Sequence, residues 1–213
     1  MIDLFNIIAE EYSFSNIQKI QYAEYVNFLQ SENKKYNLTR IDSEEKILYY
    51  HLKDTLQVTQ CGLLEEAESI ADVGSGCGVP GILLAIYYPH KKFYLIEVVR
   101  KKINFLKQCI ELLGLSNCVV IEEDFLTCVC RHLYKIDFFI GRASLGLGEF
   151  IKIYKIPCYR KSKIIYWGSS LWKDDAKHNI ILKQKDITVK EYPYEIKENE
   201  IVRKLNYIFI QKT

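Results

Sequence analysis

The sequence predicts a doubly wound α/β fold: a mostly parallel sheet, closed by an antiparallel C-terminal hairpin and preceded by a helical extension. Three observations carry this. Short apolar runs alternate with helix-length segments from residue 69 onward, a glycine-rich turn follows the first run, and the last two runs have no helix between them.

Residues 1–60 read as helices. Ile17, Ile20, Ala23, Val26 and Leu29 form an apolar stripe three residues apart, and Asp42-Ser43-Glu44-Glu45 supplies a helix start with early acids. The period then changes. Ser69–Val73 reads as a buried strand, followed by the glycine turn and an apolar helix over Val79–Tyr88. Lys92–Ile96, Cys118–Ile121, Ile136–Ile140 and Ile164–Trp167 are further strands, with a helix over Val99–Leu113 that stops at Gly114. Ile187–Tyr194 and Arg203–Gln211 make the hairpin. The expected division is a helical extension, 1–60, on a sheet domain, 61–213, packed as one unit.

Composition narrows the class. Of 213 residues, 49% are hydrophobic and 26% charged, which excludes wholesale disorder. The apolar mid-chain segment Val79–Tyr88 is too short for a bilayer, which needs about 20 residues, and Met1-Ile2-Asp3-Leu4 with Glu10 and Glu11 does not read as a secretory leader. Seven cysteines without a Cys-x-x-Cys pair predict reduced thiols in a cytoplasmic protein, with neither disulfide nor structural metal. Charge divides unevenly. Residues 1–70 hold 6 Lys and Arg against 12 Asp and Glu, whereas residues 71–213 hold 23 against 15, so the basic body suits a polyanionic partner.

The strongest chemical signal is Asp72-Val73-Gly74-Ser75-Gly76-Cys77-Gly78-Val79-Pro80-Gly81. Strand, glycine turn and helix occur in the order of a nucleotide-binding first βα turn, where glycines let the backbone approach a ligand closely. Glu97, 19 residues after Gly78, stands at the end of the second strand, where an acid can bind a ribose diol. A dinucleotide would use Gly76-x-Gly78-x-x-Gly81 and Glu97 as well. Asp72 directly before the glycines, and the late position of the turn, favour S-adenosylmethionine.

The chain resembles the bacterial 16S rRNA guanine-N7 methyltransferases of the RsmG (GidB) family. The matching segments are Asn33–Thr39, His51–Leu56, Asp72–Ile82, Leu95-Ile96-Glu97, Lys101–Leu106 and Gly141-Arg142-Ala143. The resemblance covers about residues 20–145 and implies a Rossmann-like class I methyltransferase. It implies that Gly74 and Val79 line the donor site, that Phe125 and Leu126 flank the adenine, and that Arg142 sits at the donor–substrate junction. Glu97 replaces the family's usual Asp at the ribose. Other departures are Lys102, Asp124, Gly141 and Trp167; an acid at Asp124 resembles the adenine-amino contact of other methyltransferases.

The implied activity is transfer of a methyl group to N7 of a guanine in 16S rRNA, in the small ribosomal subunit or an assembly intermediate, by a monomer. That nitrogen carries a free lone pair, so no general base is required. The fourth strand leads to Gly141-Arg142 and not to an Asn/Asp-Pro-Pro-Tyr sequence, which argues against exocyclic amines as acceptors. An NAD-dependent oxidoreductase and a non-catalytic RNA-binding assembly factor are the alternatives. His51 reads first as a helix-borne histidine packed on the sheet domain, and Asn37 and Thr39 as turn residues. Residues 150–173 interleave six basic residues (Lys152, Lys155, Arg160, Lys161, Lys163, Lys173) with Phe150, Tyr154, Tyr159, Tyr166, Trp167 and Trp172, a pattern suited either to RNA or to a core.

Overall fold

A computed structural model describes residues 2–131, 134–142, 145–174, 180–198 and 201–213. Seven strands form one sheet in the order β3-β2-β1-β4-β5-β7-β6: β1 Ser69–Val73, β2 Lys92–Ile96, β3 Cys118–Ile121, β4 Phe138–Arg142, β5 Lys163–Ser169, β6 Ile187–Glu198 and β7 Ile201–Lys212. The first five pair in parallel, and β7 pairs antiparallel with both β5 and β6. β1 lies between β2 and β4, so the winding direction reverses there and opens a crevice beyond the strand ends.

Both faces of the sheet are covered. Residues of β1 sort by parity: Ile70 joins the core under the N-terminal helices, Ala71 and Val73 the opposite one. Burial on both faces explains why the inner strands β1, β4 and β5 read as near-continuous apolar runs and not as alternating ones. The first layer contains α1 (Ile2–Glu11), α2 (Asn16–Tyr36), α3 (Glu44–Ile47), a π-helical segment (Leu48–Lys53), α4 (Asp54–Gln60), α5 (Gly81–Tyr87) and α6 (Arg100–Leu113). The second contains α7 (Phe125–Cys130) and α8 (Leu147–Phe150). Ser15 opens α2 with a capping box to Gln18, and Asn37 closes it in the left-handed conformation at φ 48°. Thr39 Oγ1 accepts from Ile41 N at 3.2 Å, so Asn37 and Thr39 shape a turn as expected.

Three expectations need correction, and one open alternative is decided. α2 buries Tyr22, Tyr25, Val26, Leu29, Glu32 and Asn33, while Ile17 and Ile20 are 68% and 59% exposed. A spacing of three falls short of a helical turn by about 60° each time, so such a stripe drifts off one face. The fourth strand runs over Phe138–Arg142, not Ile136–Ile140, because Gly141 and Arg142 pair with Tyr166 and Trp167. The helix after the glycine turn begins at Gly81 and not Val79, since a residue before proline is disfavoured in helix. Finally, all six aromatics of residues 150–173 are buried, between 0% and 6% exposed, and pack in the core, so none offers a face to an RNA base.

Candidate active site

The glycine turn is held from both sides. Gly74 N and Ser75 N donate to Ile96 O at 2.9 and 3.1 Å, and Gly78 N to Ser75 O at 2.8 Å, which ties the turn to the end of β2. Gly76 and Gly78 have φ of 59° and 84°, the left-handed region that glycine adopts without strain. Their surroundings differ. A Cβ on Gly78 would lie 2.6 Å from Ile82 Cγ1, whereas one on Gly76 would face open space, 3.8 Å from Gly74 O. Gly78 therefore serves loop–helix packing, and Gly76 is where something outside the protein can approach the backbone. From α2, the Tyr25 hydroxyl donates to Cys77 O at 2.8 Å, so the N-terminal helices brace the turn directly.

Two acids flank it. Asp72 is fully buried; Oδ2 accepts from Gly81 N at 3.0 Å, while Oδ1 has no partner. Burial pushes its pKa up to about 7. A buried carboxylate oxygen without a donor is costly unless a ligand supplies one. Glu97 is 5% exposed; Oε2 accepts from Gly76 N at 2.9 Å and Oε1 from Val98 N and Val99 N, both at 2.9 Å.

A cleft of about 310 Å³ opens beyond the ends of β1, β2 and β3, lined among others by Gly74, Glu97, Val98, Asp124, Phe125 and Leu145. Asp124 caps α7, with Oδ1 accepting from Thr127 N at 3.0 Å, and those Thr127 hydrogen bonds hold its pKa below the usual carboxylate range. Phe125 is buried against Phe139 and Phe150, with ring centroids 5.7 and 5.5 Å away. Leu126 is half-buried against the same apolar cluster and does not line the cleft. Val79 is buried behind the turn.

Arg142, at the end of β4, faces the N-terminal helices. Nη1 donates to Tyr50 O and to Asp54 Oδ2, each at 2.6 Å, and Nη2 lies 2.7 Å from His51 Nδ1. The Tyr194 hydroxyl donates to Asp54 Oδ1 at 2.6 Å, and the Trp167 indole and Tyr207 hydroxyl donate to Asp54 O at 3.3 and 2.9 Å. Burial raises the Asp54 pKa, but both carboxylate oxygens accept hydrogen bonds, which favours the ionised form against Arg142. Arg142 also lines a second cleft of about 240 Å³ with Tyr50, Ser169 and Arg203, whose guanidinium lies 4.5 Å from the Tyr50 ring centroid.

Thus Gly74, Glu97, Asp124 and Phe125 share one cleft; Asp72, Gly76, Gly78 and Val79 build or back its turn; Arg142 belongs to the neighbouring one. Ala143, of the Gly-Arg-Ala segment, lies outside the described residues. Sequence reasoning missed Asp54, Tyr50, Tyr194 and Arg203. The spacing of His51 and Asp54, three residues apart on a helix, was a signal that both face one neighbour. At the departure Trp167, the indole donates to Asp54 O and the residue lines the Arg142 cleft; at the neighbouring Gly168 a Cβ would lie 2.7 Å from Ile208 Cδ1. Lys161 and Lys163 stand at the start of β5, at the opposite edge of the sheet from Glu97. Seven strand residues at about 3.3 Å each span roughly 20 Å, which separates them from the clefts.

A Rossmann-like sheet with two clefts at the carboxyl ends of its strands, a glycine turn after β1 and acids at Asp72 and Glu97 defines a class I methyltransferase. Similar solved structures share the fold: an O-methyltransferase, TomG, from Streptomyces achromogenes, superposes with a TM-score of 0.64 at 11% identity over 89% of this chain and 90% of that one. The family model for rRNA small subunit methyltransferase G, GidB, matches residues 17–200. A protein of that name from Brachyspira hyodysenteriae is 31% identical over 208 residues, covering 93% of this chain and 95% of its own. One from Malacoplasma penetrans is 36% identical over 146 residues, covering 60% of this chain and 61% of its own. The chain belongs to the rRNA small subunit methyltransferase G family. That membership replaces the oxidoreductase reading. Among the described residues, no helix is long and apolar enough to cross a membrane.

Proposed function

We propose that the chain, acting in the cytoplasm as a monomer, methylates N7 of a guanine in 16S rRNA of the small ribosomal subunit or an assembly intermediate, with S-adenosylmethionine as donor. The observation that carries this is the juxtaposition of the two clefts, one beside the glycine turn and Glu97, the other holding Arg142. The residues present fit the donor. Asp72 Oδ1 has no protein partner beside the turn, and a side chain at Gly76 would meet nothing nearer than Gly74 O at 3.8 Å. Glu97 would take the ribose hydroxyls, Asp124 the adenine amino group and Phe125 the adenine ring, with Leu126 packed behind it. Gly74 lines the donor cleft; Gly78 and Val79 hold the turn in shape. Residues 1–60 form a helical extension that braces this site on the domain of residues 61–213.

Bound S-adenosylmethionine would supply a methyl group on a sulfonium, which the N7 lone pair could accept with the C–S electron pair returning to sulfur. No proton leaves, and no general base is needed. The work of this chain is alignment, an effect worth up to about 7–11 kcal/mol in favourable cases. Methylated guanine becomes cationic, which an isolated arginine would oppose; pairing with Asp54 offsets the charge of Arg142. A regular A-form helix hides N7 in a deep, narrow groove, so the target belongs in a loop or a partly assembled particle.

The test incubates the protein with methyl-tritiated donor and small subunits from a strain lacking the enzyme, then maps methylated guanines chemically. Label at guanine N7 is expected; label on an exocyclic amine or a ribose oxygen overturns the reading. Arg142→Ala should lower the single-turnover rate by about 100-fold or more with RNA affinity changed only a few-fold.

A further inference from the structure

We infer that His51 is a positioning residue for this site: its neutral imidazole accepts a hydrogen bond from Arg142 and fixes the guanidinium, and its protonation releases it. The inference rests on the proposed role of Arg142, and the experiment below separates the two.

The geometry dictates the tautomer. A guanidinium has no acceptor, so the 2.7 Å contact between Arg142 Nη2 and His51 Nδ1 requires a bare lone pair on Nδ1 and the proton on Nε2. Nε2 lies 3.4 Å from Thr39 Oγ1, which can accept it. Nδ1 also lies 3.2 Å from Tyr50 O, and in this tautomer that contact is not a hydrogen bond. Adding a proton to Nδ1 reverses both relations. The new N–H points to Tyr50 O, an oxygen that Arg142 Nη1 already uses at 2.6 Å, and a second cation then stands 2.7 Å from the guanidinium. Asp54 is left as the remaining side-chain partner of Arg142, and the three-point clamp is broken.

The clamp leaves capacity for a substrate. Of the five guanidinium N–H donors, Tyr50 O, Asp54 and His51 occupy three, which leaves two. His51 is not a base in this arrangement, since N7 gives up no proton and the only bare imidazole nitrogen is taken by Arg142. The ionisable and charged groups around the clamp are Arg142 on β4, Asp54 and Tyr50 on the helical segment, Tyr25 on α2, Tyr12 after α1, Tyr194 on β6, Tyr207 and Arg203 on β7, and Asp72 and Cys77 beyond Arg142. Burial and then the charge of Arg142 hold His51 well below the ordinary imidazole range, consistent with a neutral ring at physiological pH.

The experiment combines nitrogen-15 NMR of the His51 ring with single-turnover methyl transfer to small subunits, at saturating donor, across pH. In the wild type, Nδ1 should be unprotonated and Nε2 protonated at pH 7, and the rate should fall on an acid limb at the pH where the His51 ring signals titrate. His51→Phe should lose about tenfold or more in rate with unchanged donor affinity. His51→Asn, whose amide oxygen can stand in for Nδ1, should recover most of the rate and lack the acid limb. A proton on Nδ1 at pH 7, or full activity in His51→Phe, overturns the inference even if the latter result comes from a correctly folded variant with Arg142 essential. If instead Arg142→Ala keeps the wild-type rate, the proposed role of Arg142 fails first. The ring measurement on unmodified protein decides the tautomer even where a variant does not fold.

Discussion

Asp72 holds a carboxylate in full burial with one oxygen unpartnered and a pKa near 7. Between about pH 4 and 7 the native protein keeps a proton that the unfolded chain has released, so this group makes stability fall as pH rises across that window. At about 1.4 kcal/mol per unit the effect reaches roughly 4 kcal/mol at its largest. Asp72→Asn should therefore flatten the dependence of melting temperature on pH between 4.5 and 7.5, as thermal denaturation would report. If Asp72 supports the donor as proposed, the same substitution should also weaken donor binding, since a neutral amide attracts a cationic group less than an ionised acid does. A second residue gives a cleaner steric test. At Gly76 the φ of 59° disfavours a β-branched side chain, and the space ahead of it is open. Gly76→Val should abolish donor binding in calorimetry while the protein remains folded; unchanged affinity would place the donor elsewhere.

At the scale of elements, α2 is more than a cover. Tyr25 reaches the glycine turn through Cys77 O, Tyr22 donates to Leu83 O at 2.9 Å, and the Gln18 amide donates to Ile86 O and Tyr87 O, both at 3.1 Å, at the end of α5. Tyr25→Phe removes the donor from a buried carbonyl and should cost about 1–3 kcal/mol, measurable by urea unfolding. Donor affinity should fall too if the turn loosens. The turn itself was legible because glycines, strand and acid lie within about 30 residues of chain and their spacing is local. The Arg142 clamp was not. Its partners come from residues 50–54 and from Tyr194 and Tyr207, and no periodicity in a sequence relates positions 140 or 153 residues apart. The face of α2 was misread for a related reason: which side is buried depends on α5 and α6, which the helix pattern alone does not contain. The first three strands matched residue for residue because each is a short apolar run bounded by charged, polar or glycine residues; β1 is buried throughout, whereas the edge strand β3 is mostly half-buried.

For the whole molecule, the basic body divides into two edges. Arg203 and Lys204 stand at the start of β7, on the same side as the clefts, whereas Lys161 and Lys163 stand at the far edge, where Lys163 pairs with Glu66 at 3.4 Å and lies over the Phe138 ring. If the clefts receive the rRNA, changing Arg203 and Lys204 to glutamine should flatten the dependence of RNA binding on salt, by roughly 0.7–0.9 in slope for each phosphate no longer neutralised. The same change at Lys161 and Lys163 should leave the slope as it is. A filter-binding titration from low to high salt distinguishes the edges; an effect confined to Lys161 and Lys163 would mean that the RNA approaches from the opposite side.

The meeting of Asp54 with Tyr194 and Tyr207 also sets an order of events during synthesis. Asp54 leaves the ribosome's exit tunnel well before either tyrosine has been translated, and Arg142 emerges between them. Until β6 and β7 take their places beside β5, the aspartate lacks two of the hydrogen bonds that hold it, and contacts of such long sequence separation form slowly. A nascent chain can thus finish its donor turn while the clamp around Arg142 is still open. If Arg142 acts in methyl transfer as proposed, a chain still lacking its last two strands would hold the glycine turn without the completed clamp.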